Sequence, residues 1–167
     1  PARLCHDPHA QTILRWLLVP DEPGAFHQVL PERRGMSKSA IIDGNTFSDL
    51  SGFYDEVERK LTHGLDWSIG RNLNAFNDVL RGGFGVHDYA EPLDLTWLNS
   101  EKSRLDLGRE ATARHYEAML ATCHPSNIPH VQQQLDELKS GRGQVLFEII
   151  LEIIRNPEHD HVTFTLQ

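Results

Sequence analysis

Cysteine is scarce. Cys5 and Cys123 are the two in 167 residues, too few for a disulfide scaffold, and they read as reduced thiols in a cytoplasm. Long apolar runs are missing too. Ile13 to Val19 is interrupted by Arg15, and no run reaches the roughly 18 residues that a membrane-spanning helix needs. The stretch also lacks the basic start and small-residue cleavage site of a signal peptide. Basic side chains are the minority, 16 against 24 acidic, for a net charge of -8. That balance argues against nucleic acid as a partner, because such binding rests on neutralising phosphates. It favours a basic protein, whose encounter an acidic surface speeds. No membrane partner is expected, and neither internal repeats nor low-complexity segments occur.

What is present is enough for a globular core. Apolar residues make up 39 % and charged residues 24 %, and a chain of about 150 residues buries roughly 70 % of its unfolded surface. Residues 1–35 differ from the rest. They hold Pro1, Pro8, Pro20, Pro23 and Pro31, and their charges cancel, so the acidic excess lies entirely in residues 36–167. Only Thr12 to Val19 could form a short helix there. Residues 1–35 are expected to be an N-terminal extension outside the natural start at Met36, the alternative being an ordinary N-terminal arm.

The patterns sharpen after residue 39. Ala40-Ile41-Ile42 predicts a short buried strand that Asp43-Gly44 ends. Ser48 or Asp49 can cap a helix in which Leu50, Phe53, Tyr54, Val57 and Leu61 share one face, with Asp55, Glu56, Glu58 and Arg59 elsewhere. Asn72 can cap a second helix with Leu73, Phe76 and Leu80 as its apolar stripe, ended by Gly82-Gly83. Leu93 to Leu98 alternates as a strand. The pattern from Ser100 to Lys139 is weaker. It allows a helix from about Arg109 to Leu120 and another after Pro129, with Val131, Leu135 and Leu138 on one face. Val145 to Ile154 predicts a nearly buried helix, and Val162, Phe164 and Leu166 a last strand. Strands separated by helices imply an α/β fold, a small three-stranded parallel sheet covered by helices on at least one face.

The tightest cluster of chemistry is Trp67 to Gly83. On a helix from Leu73 the apolar stripe turns inward, and Asn74, Asp78 and Arg81 fall at i, i+4 and i+7 on the other side. The bland interpretation is a solvated polar face. Glycines at both ends, which let another backbone approach, and nearby Asp66, Asp88, Glu91 and Asp94 favour an interaction site instead.

The run Gly70-Arg71-Asn72-Leu73-Asn74-Ala75-Phe76-Asn77-Asp78-Val79-Leu80 resembles the second helix of the barstar family, intracellular inhibitors of the ribonuclease barnase. Ile42-Asp43-Gly44, Phe47-Ser48-Asp49-Leu50, Pro92 to Trp97, Gly143 to Ile154 and His161 to Leu166 resemble further elements in the family's order. The resemblance covers about residues 39–100 and 143–167. It implies an inhibitor whose second helix and adjoining loop plug a ribonuclease active site, with a carboxylate where a substrate phosphate would sit. Asp78 matches that acid, and Asn72, Asn74, Asn77, Arg81 and Gly82 are the further partner-binding candidates. The chain departs from the family pattern at Asn74 in place of an earlier acid, Asn77 in place of an aromatic, Ser68-Ile69 in place of a tyrosine pair and Thr96 in place of a glutamate. These changes keep the phosphate mimic and remove neighbouring contacts. Residues 101–142 are longer than the corresponding connection and have no assigned role.

Other signals carry less. Cys5 with His6 and His9, Cys123 with His124, and His159 with His161 do not form paired ligand motifs, so no metal or cofactor is expected. Cys123-His124 lacks an orienting third group for nucleophilic catalysis. A single Arg81-Gly-Gly-Phe-Gly85 segment in an acidic chain suits a helix stop better than RNA binding. Trp97 suits the core. The sequence therefore points to a non-catalytic, cytoplasmic immunity protein in residues 36–167 that blocks a basic, secreted or toxic ribonuclease. The alternatives are a module of the same fold that binds a different basic toxin or nuclease, and a small hydrolase using the histidines and Asp78.

Overall fold

The computed structural model describes residues 37–167. The expected extension over 1–35, its helix from Thr12 to Val19 and the Cys5, His6, His9 group lie outside the described residues. Three strands, β1 (Lys38–Asp43), β2 (Leu93–Leu98) and β3 (Val162–Leu166), form one sheet in the order β1-β2-β3. Both pairings are parallel, with Ile42 opposite Trp97 and Leu95 opposite Phe164. The expected α/β architecture with a small parallel sheet is therefore present.

Alternation along the strands separates two faces. Ala40, Ile42, Leu93, Leu95 and Trp97 are buried on the inner face. The outer face carries Ser39, Asp94, Thr163 and Thr165, all exposed. Ile41 belongs to that outer face and is 46 % exposed, so among the described residues the strand predicted as buried is covered on one side only.

The inner face packs against three helices. In α1 (Leu50–Leu61) the side chain of Asp49 accepts from the Gly52 amide at 2.8 Å, which satisfies one of the free donors of the first turn. Phe53, Tyr54, Val57 and Leu61 are buried as the spacing requires. Glu56, expected off the apolar face, is buried as well. Its carboxylate accepts from the Asp43 amide at 3.1 Å and from the Arg59 guanidinium, so each oxygen has a partner. α2 (Leu73–Arg81) and α6 (Leu146–Ile154) complete the layer, and both contribute fully buried side chains such as Phe76, Val79, Leu146 and Phe147.

Aromatic rings fill the centre. Phe53 lies 5.5 Å from Trp97, 5.2 Å from Phe76 and 5.7 Å from Phe47, centroid to centroid. The indole nitrogen of Trp97 donates to Ser103 Oγ at 3.0 Å, which removes the cost of an unpaired buried donor.

Ser103 belongs to α3 (Ser100–Asp106), a helix absent from the sequence pattern. It starts without a side-chain cap, after Asn99 in the left-handed region at φ 55°. Tertiary contacts hold it: the Ser100 amide donates to Gln167 O at 2.8 Å, and Lys102 Nζ donates to Gly44 O at 3.0 Å and Phe47 O at 2.5 Å. Residues 101–142 then form a helical hairpin of α4 (Arg109–Thr122) and α5 (Ile128–Lys139). Val131, Leu135 and Leu138 are buried as predicted. No helix among the described residues is long and apolar enough to cross a membrane.

Phe53 sits where helix α1 meets both the sheet and α2. Phe53→Ala is expected to lower unfolding stability by about 3–5 kcal/mol, the range for emptying a large buried aromatic site. Urea denaturation monitored by tryptophan fluorescence checks this.

Candidate functional site

Helix α2 has nine residues, a length that is marginal in water without outside support. The structure supplies that support at both ends. At the start, Asn72 Oδ1 accepts from the Ala75 amide at 2.9 Å, so this partner-binding candidate serves as the N-cap. The loop before it is fixed by the Ile69 amide donating to Glu58 Oε1 at 2.9 Å and by Arg71 donating to Ser51 Oγ at 2.9 Å and to Asp55. Trp67, half-exposed, leans on Phe84 at 5.5 Å.

The end of a helix leaves its last carbonyls without intrahelical donors. In α2 the Val79 carbonyl accepts from the Gly82 amide at 3.2 Å, and the Arg81 carbonyl from the Ala90 amide at 3.0 Å. The Leu80 carbonyl accepts twice, from His87 Nε2 at 3.2 Å and His161 Nε2 at 2.9 Å. A third histidine, His159, places Nε2 2.9 Å from Asn77 Oδ1. Gly82 makes the turn out of the helix at φ 78°, and a Cβ there would stand 2.3 Å from Asp88 O. Only glycine fits that approach.

The six sequence candidates therefore divide. Asn72 caps, Asn77 is half-buried against His159, and Gly82 is buried at the turn. Asn74, Asp78 and Arg81 share the outward side of α2. Asp78 is 58 % exposed and Arg81 40 %. Arg81 Nη1 lies 3.0 Å from Asp78 Oδ1, and Nη2 lies 2.5 Å from Glu158 Oε2. The Arg81 hydrogen bond, and then its charge, hold the Glu158 carboxyl below the usual carboxylate range. Beside this triad lies a cleft of about 650 Å³ lined by Arg81, Tyr89, Ala90, Glu158, Asp160 and His161.

Glu158 and Tyr89 carry no site signal in the sequence, and His159 and His161 stand out there only as a metal pair or as hydrolase histidines. Seventy-seven positions separate Glu158 from Arg81, and no local spacing encodes such a pair. The expected acidic neighbour Asp94 is instead on the outer sheet face, accepting from Ser37 Oγ at 2.6 Å. Among the described residues no group of three metal-ligating side chains could hold a metal ion.

A family model described as Barstar (barnase inhibitor) matches residues 37–127. No curated protein matches the chain. The matched segment includes β1, α1, the approach loop, α2, β2, α3 and α4, and it stops before α5, α6 and β3.

Burial, and then the charges of His161 and Arg81, hold the His159 imidazole below its ordinary value, against a weaker pull from Glu158. The folded state thus resists a proton that the unfolded chain accepts near pH 6.5. Stability from neutral His159 is present above that pH and is lost as pH falls through the lowered folded value. His159→Gln, which keeps an amide near Asn77, is expected to flatten the fall in urea midpoint between pH 7.5 and 5.

Proposed function

This chain belongs to the barstar family, and from that premise we propose that it binds and blocks the active site of a basic ribonuclease through α2 and the loop before it, with Asp78 in the place of a substrate phosphate. The observation that carries this reading is an exposed carboxylate on a short helix fastened at both ends. A carboxylate held on a rigid element meets the phosphate-binding cations of an enzyme without first being ordered, which lowers the entropic cost of binding. The acidic excess of residues 36–167 supplies the steering. The enzyme would be secreted or toxic, and the blocker would act in the cytoplasm of the cell that makes it.

No catalysis is assigned to the chain. The imidazoles of His87, His159 and His161 are committed to fastening α2, and each of the first two is buried, which speaks against a hydrolase built on them. Asn74 and Asn77 bring amides rather than charge or aromatic surface, and Asn77 faces inward to His159. That favours, as a second reading, a module of the same fold whose target is a basic toxin or nuclease other than barnase.

Binding kinetics against a panel of basic ribonucleases that includes barnase test both readings. Asp78→Ala is expected to weaken binding at least about a hundredfold, chiefly through faster release. That magnitude is the one known for buried interfacial charge pairs, the barnase–barstar pairs among them. Its unfolding stability should change by no more than about 1 kcal/mol, because the Asp78–Arg81 pair is exposed. Asn74→Ala is expected to be far milder. Equal and small effects of the two substitutions on the enzyme that binds would remove Asp78 from the phosphate-mimic role.

The same kinetics carry a salt dependence. Screening shortens to about 10 Å at 0.1 M ionic strength. The association rate is expected to fall steeply across that concentration while dissociation changes little, and a flat association rate would contradict electrostatic guidance.

A further inference from the structure

We infer that Arg81 is an internal stand-in for a partner's cation, and that it sets which partner the Asp78 site accepts. The inference rests on the reading of α2 as the inhibitory surface. Among the described residues Arg81 is the one arginine or lysine lining the cleft at the end of α2, and it is held between two carboxylates, Asp78 on its own helix and Glu158 on the segment before β3. Asp160, almost fully exposed, is the second carboxylate of the cleft beside Glu158, and its Oδ1 lies 3.8 Å from His161 Nδ1. Without Arg81 the carboxylates of Asp78 and Glu158 would be left on either side of its place with no cation between them, and like charges repel.

The geometry gives the guanidinium the role that an enzyme's phosphate-binding cation would have in a complex. Nη1 and Nη2 occupy an oxygen of Asp78 and an oxygen of Glu158 at 3.0 and 2.5 Å. An incoming cation directed at Asp78 therefore meets a like charge already seated there. The seat is exchangeable, because all three side chains are 40–59 % exposed, and exposed ion pairs contribute little to stability. The adjoining cleft of about 650 Å³ has room for the displaced side chain, with the ring of Tyr89, 77 % exposed, as one wall.

Two consequences follow for recognition. A partner must bring enough positive charge to displace Arg81, which discriminates against weakly basic proteins. A partner that presents a carboxylate beside its cations gains instead, because the displaced guanidinium can pair with it. Arg81 thus acts on specificity through charge rather than through fold.

The test compares wild type, Arg81→Ala, Arg81→Lys and Asp78→Ala, each as the full chain with barnase as the probe. Arg81→Ala is expected to bind about tenfold more tightly, with a faster association that is most evident at low salt. Arg81→Lys keeps the charge and should stay near wild type. Binding by Arg81→Ala that is unchanged or weaker would overturn the stand-in role. A second readout does not depend on the enzyme. Side-chain carboxyl NMR should show the titration of Glu158 moving up toward the ordinary carboxylate range in Arg81→Ala, and an unmoved Glu158 would mean that the clamp is not formed. Wild-type binding that Asp78→Ala leaves intact would instead defeat the inhibitory reading of α2, and no binding of barnase by any variant would defeat barnase as the target while the Glu158 titration still decides whether the clamp forms.

Discussion

A single carbonyl oxygen, that of Leu80, accepts from two imidazoles, His87 and His161. The position of the candidate site depends on it. A nine-residue helix has too few internal hydrogen bonds to persist alone, and its last carbonyls need donors from elsewhere. Here those donors arrive from the loop after α2 and from the segment that leads into β3. The histidines thereby tie the site helix to the third strand of the sheet. His159, bonded to Asn77 one turn earlier, adds a third tie on the same side. The approach loop and the cap at Asn72 secure the other end. What remains free on α2 is the outward face with Asn74, Asp78 and Arg81.

The electrostatics of that face follow from the same arrangement. The segment that brings His159 and His161 to α2 also brings Glu158 and Asp160. Arg81, Glu158 and Asp160 then line one cleft, and Asp78 pairs with Arg81 beside it. The local balance is negative, as is that of the whole chain, so steering and recognition act in the same direction. Arg81 moderates the balance. It lowers the repulsion among the acids in the free protein and becomes a competitor when a cationic partner arrives.

Behind the site, the aromatic centre of Phe47, Phe53, Phe76 and Trp97 fixes the distance between sheet and helices. Trp97 reaches across to Ser103 on α3, so the central strand and the helix after it are locked together by a hydrogen bond within the core. The α4–α5 hairpin is built differently. Val131, Leu135 and Leu138 bury themselves between its two arms, and Arg109 ties the base by donating to the Leu138 carbonyl. Its apolar surface is largely used internally.

Elements whose signals are local are legible in the residues alone. Period-two alternation marked β2 and β3, helical spacing placed Phe53, Tyr54, Val57 and Leu61 on one face, and Asn72 announced the start of α2 by residue type alone. The order of those elements was enough for a parallel α/β sheet, and the run from Gly70 to Leu80 was enough for the barstar resemblance. The rest comes from contacts between segments distant in the chain. Ile41 faces outward because no helix among the described residues covers that side of the sheet. Glu56 is buried because the Asp43 amide and Arg59 meet its oxygens. Helix α3 forms without a cap because Lys102 and the Ser100 amide find partners far away in sequence. Most of all, the Arg81–Glu158 pair and the ties of His159 and His161 to α2 join positions about eighty residues apart. Hydrophobic periodicity and capping act within a turn or a strand and so leave a trace in neighbouring residues. Charge pairing and the capping of a helix end from another segment act through space, and leave none.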